Sequence, residues 1–166
     1  MYLKIRAAFF FESFREDVFR KETLLDVSFV QDNHSKSSKG VLRGLHYQLP
    51  PHAQAKLTRV IQGEVLDIAV DIRDSSPTRG QYVAEILSSD NKKQLYIPEG
   101  FAHGFLTLSQ NSEYLYKATN FYHAQGERCI IWNDITLNID WPQDLKIKVS
   151  AKDLLGEDFL EADTFP

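Results

Sequence analysis

Val41-Leu42-Arg43-Gly44-Leu45-His46-Tyr47-Gln48 alternates apolar with polar residues. A period of two is the signature of a strand with one buried face. The polar side gathers a guanidinium, an imidazole and a phenol within a few residues. A strand that merely faces solvent has no use for that mixture. A strand lining a pocket does, because Arg43 can hold an anion while His46 moves a proton near neutral pH. The plainer alternative is a structural histidine on a half-buried strand.

The same period recurs downstream. From Lys56 to Arg73 the apolar residues Leu57, Val60, Ile61, Val65, Leu66, Ile68, Val70 and Ile72 flank a tight turn at Gln62-Gly63-Glu64. Further strands are predicted at Val27–Val30, Tyr82–Leu87, Gln94–Ile97, Ala102–Leu108, Tyr114–Ala118 and Cys129–Trp132. The polar runs Gln31–Gly40 and Asp74–Gly80 read as loops. Ser13 followed by Glu16 has capping-box spacing and predicts a short helix over Arg15–Lys21. After Trp141-Pro142 the chain reads as irregular. Short strands with little helix between them predict an all-β sandwich or barrel with a few short helices.

A chain of 166 residues predicts a single domain, 1–166, with room for a proper core. Hydrophobic residues are 43% and charged residues 25%, with eleven Phe and seven Tyr, which favours strands over a helical bundle. A formal net charge of −4 excludes general nucleic-acid binding through a basic surface. Cys129 is the single cysteine, so there is no internal disulfide, and a lone thiol suits a reducing compartment. No apolar run reaches membrane-spanning length, and Met1–Arg6 lacks the apolar core of a signal peptide, so the expected location is cytoplasmic. Phe9, Phe10 and Phe11 must be mostly covered, by this chain or by a partner.

Three constellations carry chemistry. Pro98-Glu99-Gly100-Phe101-Ala102-His103 has a spacing found in metal-binding cupins, but the earlier strand offers His46 without a second histidine two places away, so no catalytic metal is expected. His46 as a general base needs an orienting carboxylate. Asp32, Asp71, Asp134, Asp140 and Asp153 are candidates, and the spacing does not choose among them. Asp153 also reads as a helix-start residue after Ser150. Tyr47, Tyr96, Tyr114, Tyr116 and Tyr122 are candidate acids, although most strand tyrosines pack. Arg43, Lys56, Arg59 and Lys152 could form an anion site, and Lys56 could polarise a carbonyl.

In order along the chain, Phe29-Val30-Gln31-Asp32-Asn33-His34-Ser35, Val41–Gln48, Gly63-Glu64-Val65, Val70-Asp71-Ile72-Arg73, Ile97–Phe105, Tyr116–Asn120, Trp132-Asn133-Asp134, Asp140-Trp141-Pro142 and Ser150-Ala151-Lys152-Asp153 resemble the dTDP-4-dehydrorhamnose 3,5-epimerase family. The resemblance implies a cupin-like jelly roll, a homodimer, and no metal or organic cofactor. It implies conversion of dTDP-4-dehydro-6-deoxy-D-glucose to dTDP-4-dehydro-L-rhamnose. By the same resemblance His46 is the base, Asp153 its carboxylate partner, Tyr116 the acid, and Lys56 the group beside the keto oxygen. Glu12, Gln31, Asp32, Asn33, Arg43, His103, Glu127 and Lys152 match substrate-contacting positions, and Tyr122 matches the tyrosine that stacks on thymine.

One departure stands out. The family pattern places an arginine for the diphosphate just ahead of the Phe pair, where this chain has Ala7 and Ala8, with Arg6 one place early. A one-residue shift on a strand points a side chain to the other face. The chain also starts late against that pattern. Weaker diphosphate binding and altered dimer packing are the expected consequences. Two alternatives follow: a mono-epimerase with another sugar nucleotide, or a catalytically silent sugar-nucleotide-binding cupin.

Overall fold

The computed structural model describes residues 2–5 and 8–166. Arg6 and Ala7 lie outside the described residues. The elements are β1 (Tyr2–Ile5), β2 (Ala8–Phe11), α1 (Glu16–Thr23), β3 (Gln31–Ser38), β4 (Val41–Gln48), β5 (Lys56–Gln62), β6 (Glu64–Asp71), β7 (Tyr82–Ser88), β8 (Gln94–Ile97), β9 (Phe101–Thr107), β10 (Asn111–Ala118), β11 (Glu127–Cys129) and β12 (Lys148–Val149), with a 3₁₀ turn at Asp153–Leu155. Strands β1 and β2 form a hairpin. A four-stranded sheet runs β3-β10-β5-β8, and a six-stranded sheet runs β11-β4-β9-β6-β7 with β12 beside β4. The pairings are antiparallel except for β12 on β4. This is the all-β, cupin-like jelly-roll sandwich expected from the sequence.

Side-chain alternation divides the interior into two layers. Val60 of β5, Val65 of β6, Leu87 of β7, Phe105 of β9 and Tyr114 of β10 pack together between the sheets. Leu42, Leu45, Ile68, Val70, Ala102 and Leu106 point the other way, where Ile130, Leu137, Trp141 and Phe159 of the C-terminal segment cover them. The larger sheet is therefore buried on both faces, which is why β6 reads as a nearly continuous apolar run. Burial of that extent, at roughly 25 cal/mol per Å² of apolar surface, is what holds an irregular C-terminal segment in place.

Strand β4 changes side midway. Leu42, Leu45 and Tyr47 belong to the outer core, while Val41, Arg43 and His46 line the space between the sheets. Strict alternation would put Arg43 and His46 on opposite faces. A register shift in the β4–β9 pairing between Arg43 and His46 resolves this. Gly44 sits at the shift with φ +122°, and a Cβ there would stand 2.5 Å from the Gly104 Cα. Positive φ and close backbone approach both require glycine. Gly44→Ala is expected to cost more than about 3 kcal/mol, because strain and overlap add, and chemical denaturation would measure it.

Several expectations are corrected. Tyr47 does not share the His46 side: its hydroxyl donates to the Asp163 carbonyl at 2.5 Å in the outer core. Gln31–Gly40 is not a loop, since Gln31–Ser38 is strand β3, paired residue for residue with β10. Its neighbour Val27–Val30 is not a strand. An edge strand beside a polar cavity needs no apolar face, so hydrophobic pattern misplaced it. The helix has Arg15 at its N-cap without a side-chain cap, and the Ser13 carbonyl instead accepts a hydrogen bond from Gln94. Glu16 and Asp17 in its first turn and Arg20 and Lys21 in its last complement the helix dipole. The strand expected at Cys129–Trp132 is β11, which ends at Cys129; Ile130 still exchanges backbone hydrogen bonds with Leu45 of β4 and also bridges Glu157.

Candidate active site

A cavity of about 550 Å³ opens between the two sheets. Strand parity decides what lines it. From the larger sheet come Arg43 and His46 of β4 and His103 and Phe105 of β9; from the smaller sheet come Lys56 of β5 and Tyr114 and Tyr116 of β10. Val149, Ser150, Lys152 and Asp153 close one side. These groups come from sequence positions as distant as 43 and 153.

His46 and Asp153 form a pair. His46 Nε2 donates to Asp153 Oδ1 at 2.7 Å. That bond places the ring proton on Nε2 and leaves a lone pair on Nδ1. Burial pushes the Asp153 carboxyl up, but His46, the Gly44 N–H and Ser150 outweigh it and hold it below its usual range. Of the five carboxylates considered from sequence, Asp153 is the one bonded to His46. Asp71 is tied to Arg73, Ser76 and Thr78. Asp134 accepts the backbone N–H groups of Thr136, Leu137 and Phe159. Asp140 is exposed, and Asp32 pairs with Lys117 at 2.9 Å. The helix-start reading of Asp153 also holds: its N–H donates to the Ser150 hydroxyl at 3.1 Å, so one residue serves both purposes.

A second pair lies deeper. His103 faces Asp67 Oδ1 at 2.6 Å, and the Tyr114 hydroxyl donates to Asp67 Oδ2 at 2.5 Å. Thr58 adds a bond to Oδ2 at 3.0 Å. Burial lowers the His103 pKa, and Asp67 does not fully offset it, so its imidazole is neutral at pH 7. Asp67 was not among the sequence candidates. Its signal was an aspartate in the middle of the apolar run Val65-Leu66-Asp67-Ile68-Ala69-Val70, a position that demands buried partners.

Lys56 and Tyr116 adjoin, with Nζ 5.9 Å from the phenol centroid. Burial lowers the Lys56 pKa to about 8, against the opposing pull of Asp67 and Glu127. Burial also raises the Tyr116 pKa, as do Glu127 and Tyr122, with Arg43 opposing. Tyr116 therefore holds its proton at neutral pH. Among the other tyrosine candidates, Tyr96 packs on Phe19 and Tyr114 is committed to Asp67.

At the rim, Glu127 accepts from the Tyr122 hydroxyl at 2.8 Å and pairs with Lys152. Tyr122 is 55% exposed, and its N–H donates to Gln31 at 3.0 Å. Gln31 in turn bonds Asn33 at 3.0 Å. Arg43 donates to Ser37 at 3.1 Å. Three expected residues lie elsewhere. Asp32 points away from the cavity because it alternates with Gln31 and Asn33 on β3. Glu12 is exposed and faces Arg15. Arg59 alternates with Lys56 and Thr58 and lies on the outer face of β5, its guanidinium over the Phe11 ring.

A protein family described as dTDP-4-dehydrorhamnose 3,5-epimerase matches residues 6–161. The chain belongs to that family. It is 57% identical over 157 residues to a dTDP-4-dehydrorhamnose 3,5-epimerase of Shigella flexneri, covering 95% of this chain and 86% of that one. It is 55% identical over 158 residues to the Pseudomonas aeruginosa protein of the same name, covering 95% and 87%. Among solved structures, the Legionella pneumophila dTDP-6-deoxy-D-glucose-3,5-epimerase in complex with dTDP-4-keto-L-rhamnose superimposes with a TM-score of 0.94 at 45% identity, covering 98% of this chain and 86% of that one. The 3,5-epimerase family thus accounts for nearly the whole chain, both sheets included.

Proposed function

We propose that this chain converts dTDP-4-dehydro-6-deoxy-D-glucose to dTDP-4-dehydro-L-rhamnose by inverting C3 and C5 in turn. The observation that carries the reading is the placement of His46 and Tyr116. They come from opposite sheets and face one cavity. A sugar ring lying between the sheets has an imidazole on one face and a phenol on the other.

The chemistry follows from the ketone. A C–H bond beside a carbonyl is acidic because the resulting charge spreads onto oxygen, and a C4 ketone acidifies both C3 and C5. His46 Nδ1 takes the proton, and Asp153 stabilises the imidazolium that forms. The Lys56 ammonium stabilises the enolate oxygen, a charge fixed in place before the reaction begins. Tyr116 returns a proton from the opposite face, which inverts the centre. His103, held neutral by its surroundings, is an uncharged hydrogen-bonding partner for the sugar. Arg43 and Lys152 supply positive charge for the diphosphate, and the exposed Tyr122 ring offers a stacking surface for thymine. Gln31, Asn33 and Glu127 complete the rim. Nothing in this sequence of proton transfers calls for a metal or organic cofactor.

The working unit in this reading is a homodimer of single-domain chains in the cytoplasm. Phe9 and Phe10 are 55% and 67% exposed within one chain, which supports a second copy as their cover. Among the described residues, no helix is long and apolar enough to cross a membrane.

Incubation with the 4-keto sugar nucleotide in heavy water, followed by proton NMR, tests the reaction. Two deuteriums per product molecule are expected. One deuterium would make the enzyme a mono-epimerase, and binding without any exchange would make it a silent sugar-nucleotide cupin. Tyr116→Phe separates the two half-steps. His46 still forms the enolate, but the opposite face has no acid, so the proton returns where it left. Recovered substrate should carry deuterium with its configuration unchanged, and net inversion should fall by about 10²–10⁴-fold.

A further inference from the structure

The reaction assigned to this cavity leaves one thiol beside the base unused. Cys129 stands directly across from His46 in the β4–β11 pairing. Opposed residues on neighbouring strands project to the same face, with Cβ atoms about 4.5–5.5 Å apart. The Cys129 Sγ, an imidazole nitrogen of His46 and a carboxylate oxygen of Asp153 all lie within 4.8 Å of one another. Strand register fixes the first two, and the 3₁₀ turn brings in the third.

We propose that His46, Cys129 and Asp153 form a site for one thiophilic divalent cation of the zinc type, and that its occupation switches the enzyme off. A thiolate, an imidazole and a carboxylate are the donor set that zinc takes with three protein ligands and one water. A tetrahedral site places nitrogen and oxygen donors about 3.4 Å apart and a sulfur about 3.6 Å from each, given ordinary zinc–ligand lengths. The His46–Asp153 contact of 2.7 Å must open slightly and the sulfur must close by up to about an ångström, which is within side-chain rotation. Magnesium and calcium prefer all-oxygen shells and are not expected to bind.

The step balances without a redox partner. The Cys129 S–H bond breaks, a sulfur–metal bond forms, and the proton passes to the buffer. A cation seated between His46 Nε2 and Asp153 takes the place of the Nε2 proton; the neutral ring carries its proton on Nδ1 instead and gives the Nε2 lone pair to the metal. Three charged groups face Cys129: Asp153, Glu127 and Lys152. The Lys152 ammonium opposes a cation, but it is already paired with Glu127, and Asp153 stays available. With the cation in place, His46 has no lone pair for a sugar proton. That inhibitory half rests on the base assignment proposed above; the binding half does not.

Cobalt(II), added to the purified enzyme in a non-coordinating buffer, gives a direct readout, with zinc chloride as competitor. The native protein should show tetrahedral ligand-field bands and a thiolate-to-cobalt charge-transfer band, saturating at one equivalent and chased by zinc. Micromolar-range zinc should then inhibit epimerisation in parallel. Cys129→Ala should retain metal-free activity and lose the charge-transfer band. Removing a ligand should weaken zinc inhibition by at least the roughly 10–100-fold seen for loss of a supporting group. Cys129→Ser keeps the side-chain shape and serves the same comparison should the alanine variant fold poorly. An octahedral cobalt spectrum in the native protein, or unchanged zinc sensitivity in both variants, overturns the site. A bound cobalt thiolate with full epimerase activity overturns the switch and the assignment of His46 as base, while leaving the site.

Discussion

Replacing His46 with alanine will abolish deuterium uptake at both C3 and C5. The loss in rate should be about 10²–10⁴-fold or more, the range over which a positioned base contributes. Both positions should fail together, because one imidazole lone pair serves two carbons flanking one ketone. Binding should be much less affected, since Arg43, Lys152 and the Tyr122–Glu127 rim are untouched. Following the C–H signals by NMR in heavy water, alongside calorimetric binding of dTDP, separates the two effects. Uptake at the native rate would remove His46 from its role. His103 would then be the remaining imidazole lining the cavity among the described residues.

Lys56→Met will lower turnover and raise stability together. Removing one preorganised donor from a developing oxyanion typically costs about 10²–10³-fold in rate. Stability moves the other way because burial holds the Lys56 pKa at about 8, below its ordinary value of 10.5. At neutral pH the folded protein keeps an ammonium that its surroundings disfavour. The unfolded chain binds more protons between those two values, so stability of the native protein should rise with pH across that window. Activity should fall at the lower end of that window, as pH passes about 8 and the folded protein loses the ammonium that stabilises the enolate. The methionine variant should melt higher at pH 7 and lack the pH-dependent rise. Thermal melts at pH 7 and pH 10, set beside a pH–rate profile, check both halves. A lower melting temperature with full activity would mean that Lys56 is a packing residue.

The fold was legible wherever apolar residues follow a period of two. Strands β5 to β10 lie close to their expected places because each is an apolar-rich run bounded by turn formers. Strand β3 was not legible, since Gln31–Ser38 has no apolar face at all and is held by pairing with β10 rather than by burial. Residue-level reading also found the chemistry-bearing strand but could not choose among five aspartates. That choice depends on the C-terminal segment folding back onto the larger sheet, which no local pattern encodes. The family resemblance chose Asp153, and the 2.7 Å contact with His46 agrees. Asp32 and Glu12, which the resemblance also named, lie outside this chain's own cavity. Asp67 was missed for a simpler reason: an acidic residue inside a strand reads as a surface position until the layer on its other side is known.

Residues 46 and 153 lie 107 positions apart and meet only once the segment carrying Asp153 has been made. A nascent chain still threaded through the ribosome has its imidazole exposed in the cell while its carboxylate is being synthesised. The sheets can assemble before residue 153 has been made, but the His46–Asp153 pair cannot. Fragments truncated before Ser150 should lack epimerase activity, since they leave His46 without its carboxylate partner and the outer core without Phe159.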